Sequence, residues 1–297
     1  MGRLHAEKFA RCDGAELAAV VDTDRARAAA LAALHRCAPL GDYREVFGKA
    51  GAAVIAVPTD RHHEVALACL RAGLHVLVEK PIAGTLEQAD ELVETAKRRG
   101  LVLQVGHVER YNKAFRALAE RMDRPVFIEA ERLSAFKQRG AEVDVVLDVM
   151  IHDLDLAVAL ARAEVLEVSA CGFRVLTGDI DIANARIEFA NGCVANLSAS
   201  RVSQAPVRKL RVFQSNFYVS ADLQAGRLRY VRQSDGVIGE TEERYEGGDP
   251  LAAQAAAFAA AARGNGPVPL DGAEGRRALK LALDVGCRVR ERLRRFE

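Results

Sequence analysis

A chain of 297 residues has room for two domains of ordinary size. Its composition, 28% charged and 50% hydrophobic, is that of a globular protein, and a net charge of +1 excludes a global pull toward nucleic acid or anionic membrane. No apolar run approaches the ~20 residues that a membrane span needs, and the N-terminus lacks a signal-peptide layout, so a cytoplasmic location is expected.

Residues 3–10 read as a helix, and Leu17–Val21 as a buried strand ending at Asp22. An Ala-rich helix covers 25–34 and a short helix 43–47. Ala52–Val57 is a second apolar strand, closed by Pro58-Thr59. An amphipathic helix at 62–72 stops at Gly73, where glycine accepts a left-handed cap. His75–Val78 is a third strand, and the helix from Thr85 to about Arg99 carries Glu87 and Glu91 near its start, where negative charge suits the helix dipole. Leu101–Val105 is the next strand. Apolar strands alternating with helices at this rhythm predict an α/β fold with a doubly wound parallel sheet.

After about Gly106 the rhythm changes. A helix at 114–121, a strand at 125–133 and a long helical pattern at 143–161 lead into strands at 167–176, 182–189, 194–202, 209–213, 218–222 and 228–232. Asn191-Gly192 and, more weakly, Gln224-Ala225-Gly226 are hairpin turn signals. Helices at about 251–263 and 273–294 close the chain. The pattern predicts a dinucleotide-binding domain at 1–106 and a second, α+β domain at 107–297 with a large open, mostly antiparallel sheet. That sheet is too large for the remaining helices to cover on both faces. An apolar open face along Ile182–Val202 is therefore expected, buried in a homodimer or homotetramer.

The six cysteines, Cys12, Cys37, Cys69, Cys171, Cys193 and Cys287, form no C-x-x-C pair, so reduced thiols are expected rather than zinc ligands or disulfides. Chemistry is expected first at Lys80. Pro81 lacks an amide N–H and must end the strand, which leaves Lys80 extended at its carboxyl end. Ligands of open α/β sheets bind beyond that edge, although a solvated lysine would sit there equally well. Asp22, at the end of another strand, can bind both hydroxyls of an adenosine ribose and repel a 2′-phosphate, which favours NAD over NADP. Arg25 weakens that preference, and an N-cap role for Asp22 is the alternative. Asp148 and His152 are four apart on one helical face in an apolar segment, where a carboxylate can orient a proton-shuttling imidazole. A surface pair is the competing reading, and Asp144, Asp153 and Asp155 lie close by. No second ligand pair supports a metal. The stretch from Gly106 to Asn112, with His107 and Arg110, joins the two patterns and offers polar groups to a ligand.

Several stretches together resemble one family. Gly2-Arg-Leu-His5-Ala-Glu-Lys-Phe9, Val57-Pro-Thr-Asp-Arg-His62, Ala72-Gly-Leu-His75-Val-Leu-Val-Glu79-Lys80-Pro81 and Asp148-x-x-x-His152 occur in the order and spacing of the glucose–fructose oxidoreductase / inositol dehydrogenase (Gfo/Idh/MocA) family. The resemblance covers essentially the whole chain. It implies a Rossmann-type N-terminal domain, reversible hydride transfer between NAD and a sugar or polyol carbon, and Lys80, Asp148 and His152 as the catalytic set. It implies cofactor contacts at Gly2, Asp22, Pro58, Thr59, His62, Glu79 and Lys80. A narrower likeness, through Gln104–Asn112, Phe136–Gly140, Asp144–Asp153, Asp181–Asn196 and Ala199–Val202, is to the UDP-N-acetylglucosamine 3-dehydrogenase branch, where C3 oxidation precedes transamination and feeds lipid A synthesis. It makes Lys137, Arg139 and Arg201 candidates for a diphosphate, beside His107 and Arg110 as substrate residues. A dehydrogenase of a free sugar or inositol, and a non-catalytic binding or assembly subunit, are the competing readings.

The family fingerprint is an apolar strand followed by G-x-G-x-x-G. Gly2 aligns with the last of those glycines, so the first strand and its turn are missing from this sequence. The expectation is a natural reading frame that extends upstream of Met1.

Overall fold

The computed structural model describes residues 1–136, 143–234 and 236–295. They form two compact units, one made of Met1–Val108 with Asp249–Arg276, the other of Glu109–Gly248 with Arg277–Glu297.

The first unit has parallel strands in two hydrogen-bonded pieces. β1 (Ala19–Val21) pairs with β2 (Ala38–Leu40), and β3 (Ala52–Ile55) pairs with β4 (His75–Val78), which pairs with β5 (Leu103–Val105). These are the flanks of a doubly wound order, and neither β1 nor β3 has a second ladder partner among the described residues. Helices α1 (Gly2–Phe9), α2 (Arg25–His35), α3 (His62–Arg71) and α4 (Leu86–Arg99) connect or precede them. Local chemistry sets their ends. Asp24 caps α2 by accepting from Ala26 and Arg27 N–H, Thr85 caps α4, and Gly100 ends α4 at φ 64°.

The expected boundary needs a correction. Residues 249–276, assigned by pattern to the second domain, belong to the first unit. The reason is apolar packing. α7 (Pro250–Ala262) sets Phe258 edge-to-face on Phe9, with ring centroids 6.2 Å apart, and into a cluster with Leu77 and Val102. Lys8 also pairs with Asp249 at 2.9 Å, and the Val105 N–H donates to the Leu270 carbonyl.

The second unit is an eight-stranded mixed sheet. Its strands are β6 (Phe127–Leu133), β7 (Val165–Phe173), β8 (Ile182–Phe189), β9 (Val194–Ser200), β10 (Val207–Gln214), β11 (Phe217–Asp222), β12 (Arg227–Ser234) and β13 (Val237–Arg244). The order is β13-β12-β11-β10-β6-β9-β8-β7, antiparallel throughout except for the parallel β6–β9 pair. Helices α5 (Lys113–Arg121) and α6 (Ile151–Ala161), with the 277–293 part of α8 (Gly272–Leu293), bury one face. The Asn191-Gly192 hairpin has Gly192 at φ 84°, while the Asn191 amide donates to the Ala161 carbonyl.

The open face is not apolar, contrary to expectation. The pleat directs Ala183, Ala185, Ile187, Ala195, Leu197 and Ala199 onto the helix-covered side, all nearly inaccessible. Asn184, Arg186, Asn196 and Ser198 take the other side, crossed by the Arg211–Glu129 and Arg186–Glu188 pairs. Exposed apolar groups of that region are Phe173, Val175, Leu176 and Ile182, with Phe173 opposite Ile182 in the β7–β8 ladder.

Candidate active site

In the first unit, the carboxyl ends of the parallel strands gather most of the residues singled out. Asp22 follows β1, Pro58 and Thr59 follow β3, Glu79 and Lys80 follow β4, and His107 follows β5. Asp22 is not a helix cap. Its carboxylate accepts from the Asp24 N–H at 2.8 Å in a local turn, stays half-buried, and has Arg27 3.8 Å away. The capping role belongs to Asp24, which leaves Asp22 free to face a ligand. α1 opens at Gly2 without a side-chain cap, and a Cβ at Gly2 would meet only Ala56, at 4.0 Å. The mouth of that helix is therefore open to an anion, and the dipole favours one there.

Lys80 is half-buried, and the Lys80–Pro81 peptide is cis. Glu79 is 8% exposed and accepts a 2.6 Å hydrogen bond from His5 Nε2. Burial raises the Glu79 pKa, but the His5 bond and the charges of His5 and Lys80 outweigh it and hold the carboxyl below its ordinary range. His62 is 2% exposed and sets both ring nitrogens on carbonyl oxygens, Nδ1 on Pro81 at 2.7 Å and Nε2 on Val57 at 3.0 Å. Both residues expected at the cofactor thus also brace the turn around Lys80 from within the unit.

In the second unit, Asp148 lies in a π-helical turn, Val146–Met150, that runs directly into α6, whose second residue is His152. Both side chains are half-buried. An i→i+5 turn of this kind is common at functional sites. Two buried networks fix this helix. Asp144 accepts from the Val146 and Leu147 N–H groups and pairs with Arg290 at 3.1 Å. Asp153, next to His152, holds Arg132 of β6 in a fork of 2.8–3.1 Å, and Arg132 also reaches Glu109 at 2.9 Å. Burial opposes the Arg132 charge, but Asp153 and Glu109 together raise its pKa well above the ordinary value.

Arg201 is corrected from substrate residue to structural anchor. It is 4% exposed, and its guanidinium donates to Asp181 at 2.9 Å and to the Val143 and Ile180 carbonyls at 2.7 and 2.9 Å. Asp181 is wholly buried and also accepts from the Val175, Leu176 and Thr177 N–H groups and the Thr177 hydroxyl. The pair pins the chain just before Asp144, so its service to the site is to hold the helix that bears Asp148 and His152. Arg110 donates to buried Asp155 at 3.0 Å. Lys137 and Arg139 lie outside the described residues.

Sequence reading missed His5 and Arg132 as parts of the site. Their partners Glu79 and Asp153 lie 74 and 21 positions away, and no local pattern announces such pairs. Among the described residues no cluster of His, Cys, Asp or Glu could hold a metal ion, and no helix is long and apolar enough to cross a membrane. The cysteines are unpaired, and burial pushes the Cys69 and Cys193 thiols up to about 11.

Comparison with known proteins gives this geometry its context. Residues 1–107 match the Gfo/Idh/MocA oxidoreductase family model, NAD-binding Rossmann fold, and residues 119–218 match the Gfo/Idh/MocA C-terminal domain model. The UDP-N-acetylglucosamine 3-dehydrogenase of Acidithiobacillus ferrooxidans is 38% identical, across 99% of this chain and 96% of its own length. Its crystal structure superposes with a TM-score of 0.92, covering 97% of this chain and 93% of that one. The scyllo-inositol dehydrogenase of Lactobacillus casei, solved with NAD(H) and scyllo-inositol bound, shares the fold at a TM-score of 0.83 and 17% identity, over 98% and 94% of the two chains. With both halves of the chain matched and a relative aligned from end to end, the chain belongs to the Gfo/Idh/MocA family of NAD-binding oxidoreductases.

Proposed function

We propose that this chain oxidises a secondary hydroxyl of a sugar nucleotide, at C3 of UDP-N-acetylglucosamine, to a 3-keto sugar that a transaminase consumes. The observation that carries the reading is the end-to-end likeness to the A. ferrooxidans enzyme, at 38% identity and a TM-score of 0.92. The residues present fit the cofactor. The uncapped helix mouth at Gly2 suits its pyrophosphate, Asp22 its ribose hydroxyls, and Pro58, Thr59 and Lys80 line the strand ends beyond them. When bound, NAD supplies the hydride acceptor. His152 takes the hydroxyl proton, Lys80 hydrogen-bonds the reacting oxygen and stabilises its developing charge, and Asp148 orients His152.

The test is a screen of nucleotide sugars, free sugars and inositols with NAD, read at the reduced-cofactor absorbance band. UDP-N-acetylglucosamine is expected to exceed free N-acetylglucosamine in kcat/KM by at least ~10-fold. Each charge-assisted contact to its diphosphate contributes about 1.5–3 kcal/mol, and about 1.4 kcal/mol is tenfold. Equal activity on the two sugars, or a preference for inositol, would sink the assignment.

Asp22→Ala should weaken NAD binding by roughly tenfold or more, since a charged acceptor is lost, and should also relax discrimination against NADP. Titration of the intrinsic fluorescence of NADH and NADPH measures both. An unmoved preference would leave Asp22 as a turn residue only.

We also infer a homodimer or homotetramer built through the open sheet face. The exposed apolar corner of Phe173, Val175, Leu176 and Ile182 supports this. Light scattering should give a multiple of the chain mass, and Phe173→Glu should shift it toward the monomer. A monomer at micromolar concentration would contradict the inference.

A further inference from the structure

The turn that carries Lys80 is gripped from three sides within the first unit. From α1, His5 Nε2 donates to the Glu79 carboxylate at 2.6 Å. A carboxylate only accepts, so Nε2 bears a proton, while Nδ1 is buried without a hydrogen-bond partner among the described residues. From α3, His62 Nδ1 meets the Pro81 carbonyl at 2.7 Å and Nε2 meets the Val57 carbonyl at 3.0 Å. From the end of β5, the Gly106 N–H donates to the Val78 carbonyl at 2.7 Å, and a Cβ at Gly106 would lie 3.0 Å from Glu79 Cα. The residues immediately before and after Lys80 are thus each held by a buried histidine.

We propose that His5 and His62 are positioning residues for Lys80, acting through the Glu79 carboxylate and the Pro81 carbonyl. Neither needs to touch the substrate. His5 ties the lysine to the helix that opens at Gly2, and His62 ties it to Val57-Pro58-Thr59, so the same two side chains register Lys80 against the stretches that hold the dinucleotide. Burial lowers the His62 pKa, with the two carbonyls opposing. The inference deepens the proposed function by resting on Lys80 as a group that acts on the reacting oxygen. A displacement of about 1 Å in such a group can cost on the order of 10²-fold in rate.

Five variants test it. His5→Phe and His62→Phe keep ring volume and lose the bonds. His5→Gln places an amide N–H near the site of Nε2, His62→Asn near Nδ1, and His62→Gln near Nε2. The first readout needs neither substrate nor cofactor: the rate at which acetic anhydride labels Lys80, by peptide mass spectrometry, relative to exposed Lys97 as internal control. The second is kcat at saturation, alone and on a Lys80→Ala background. Both Phe variants should change the Lys80 labelling ratio by about threefold or more and lower kcat by roughly 10–100-fold. His5→Gln and His62→Asn should stay close to wild type, and on the Lys80→Ala background the Phe variants should cost nothing further. An unchanged labelling ratio in folded Phe variants, or a full loss of kcat that persists without Lys80, would overturn the proposal. Should the Phe variants not fold, the comparison of His62→Asn with His62→Gln decides. The Gln variant is expected to be the more disturbed, and equal labelling overturns the proposal. An enzyme inactive on every sugar in the screen would remove the proposed function, while the labelling ratio would still decide whether the two histidines hold Lys80.

Discussion

Lys80→Ala and His152→Ala are each expected to lower kcat by at least ~10²-fold with little change in NADH affinity. Removing a general base or the stabiliser of a developing oxyanion costs about 10²–10⁴-fold, because the interaction is made mainly in the transition state. Asp148→Asn should fall between these variants and wild type, since a residue acting through its neighbour loses orientation rather than chemistry. Steady-state kinetics beside a cofactor fluorescence titration separate the two quantities. Near-wild-type turnover in both alanine variants would remove Lys80 and His152 from the mechanism, whatever the substrate. The π-helical turn that carries Asp148 and the Arg132–Asp153 fork beside His152 give a further internal check: Arg132→Met should reduce kcat while leaving Lys80 untouched.

Asp181→Ala should destabilise the second unit by about 3–5 kcal/mol, the usual cost of stripping one partner from a buried ion pair. Arg201 would keep its charge at 4% exposure while losing the Asp181 carboxylate, and three backbone N–H groups of the 175–177 turn would lose their acceptor. Against a domain stability of ~5–15 kcal/mol this approaches unfolding. Burial works against the Asp181 carboxylate, but the backbone N–H groups of Thr177, Val175 and Leu176, with the Thr177 hydroxyl, hold its pKa far below the ordinary value. The folded pKa is depressed, so the carboxylate's contribution is complete above the unfolded value of ~3.9 and is lost as pH falls below it toward the folded value. Urea denaturation of wild type and Asp181→Asn at neutral pH and near pH 3 should show the gap between them narrowing in acid. A pH-independent gap would mean that packing, not charge, sets the cost.

Much of the fold was legible because its signals are local. The Pro81 stop, the Gly73 and Gly100 helix ends and the Asn191-Gly192 hairpin each act within a few residues, and the alternation along β8 and β9 marks two distinct faces. Which face meets the helices depends on tertiary packing, and there the expected apolar patch failed. β13 escaped notice because Val237–Arg244 is an edge strand, exposed over nearly its whole length and lacking apolar alternation; backbone pairing with β12 alone makes it a strand. β2 is three residues with a proline at its centre. The return of α7 to the first unit rests on Phe9 and Phe258, 249 positions apart in the chain as the contact between Gly14 and Arg263 also is in kind, and no local pattern reports such a meeting. Among the site residues, Asp22 and Lys80 were visible as strand-end groups. Arg201 misled because a guanidinium in a sequence does not reveal whether it faces solvent or a buried carboxylate.

The π-helical turn makes chain length, rather than side-chain identity, the sensitive variable in this part of the molecule. The Ile151 N–H reaches back to the Val146 carbonyl, one residue farther than an α-helix allows. Excising one residue, such as Val149, would let the segment settle into ordinary α register, a conformation that is intrinsically easier to form. It would also leave Asp148 three residues from His152 instead of four, moving the carboxylate along and around the helix relative to the imidazole. The product would be a well-folded chain with its carboxylate aimed elsewhere. Among relatives of this protein, a one-residue gap at this point of an alignment is therefore a sharper mark of altered or lost activity than most substitutions nearby.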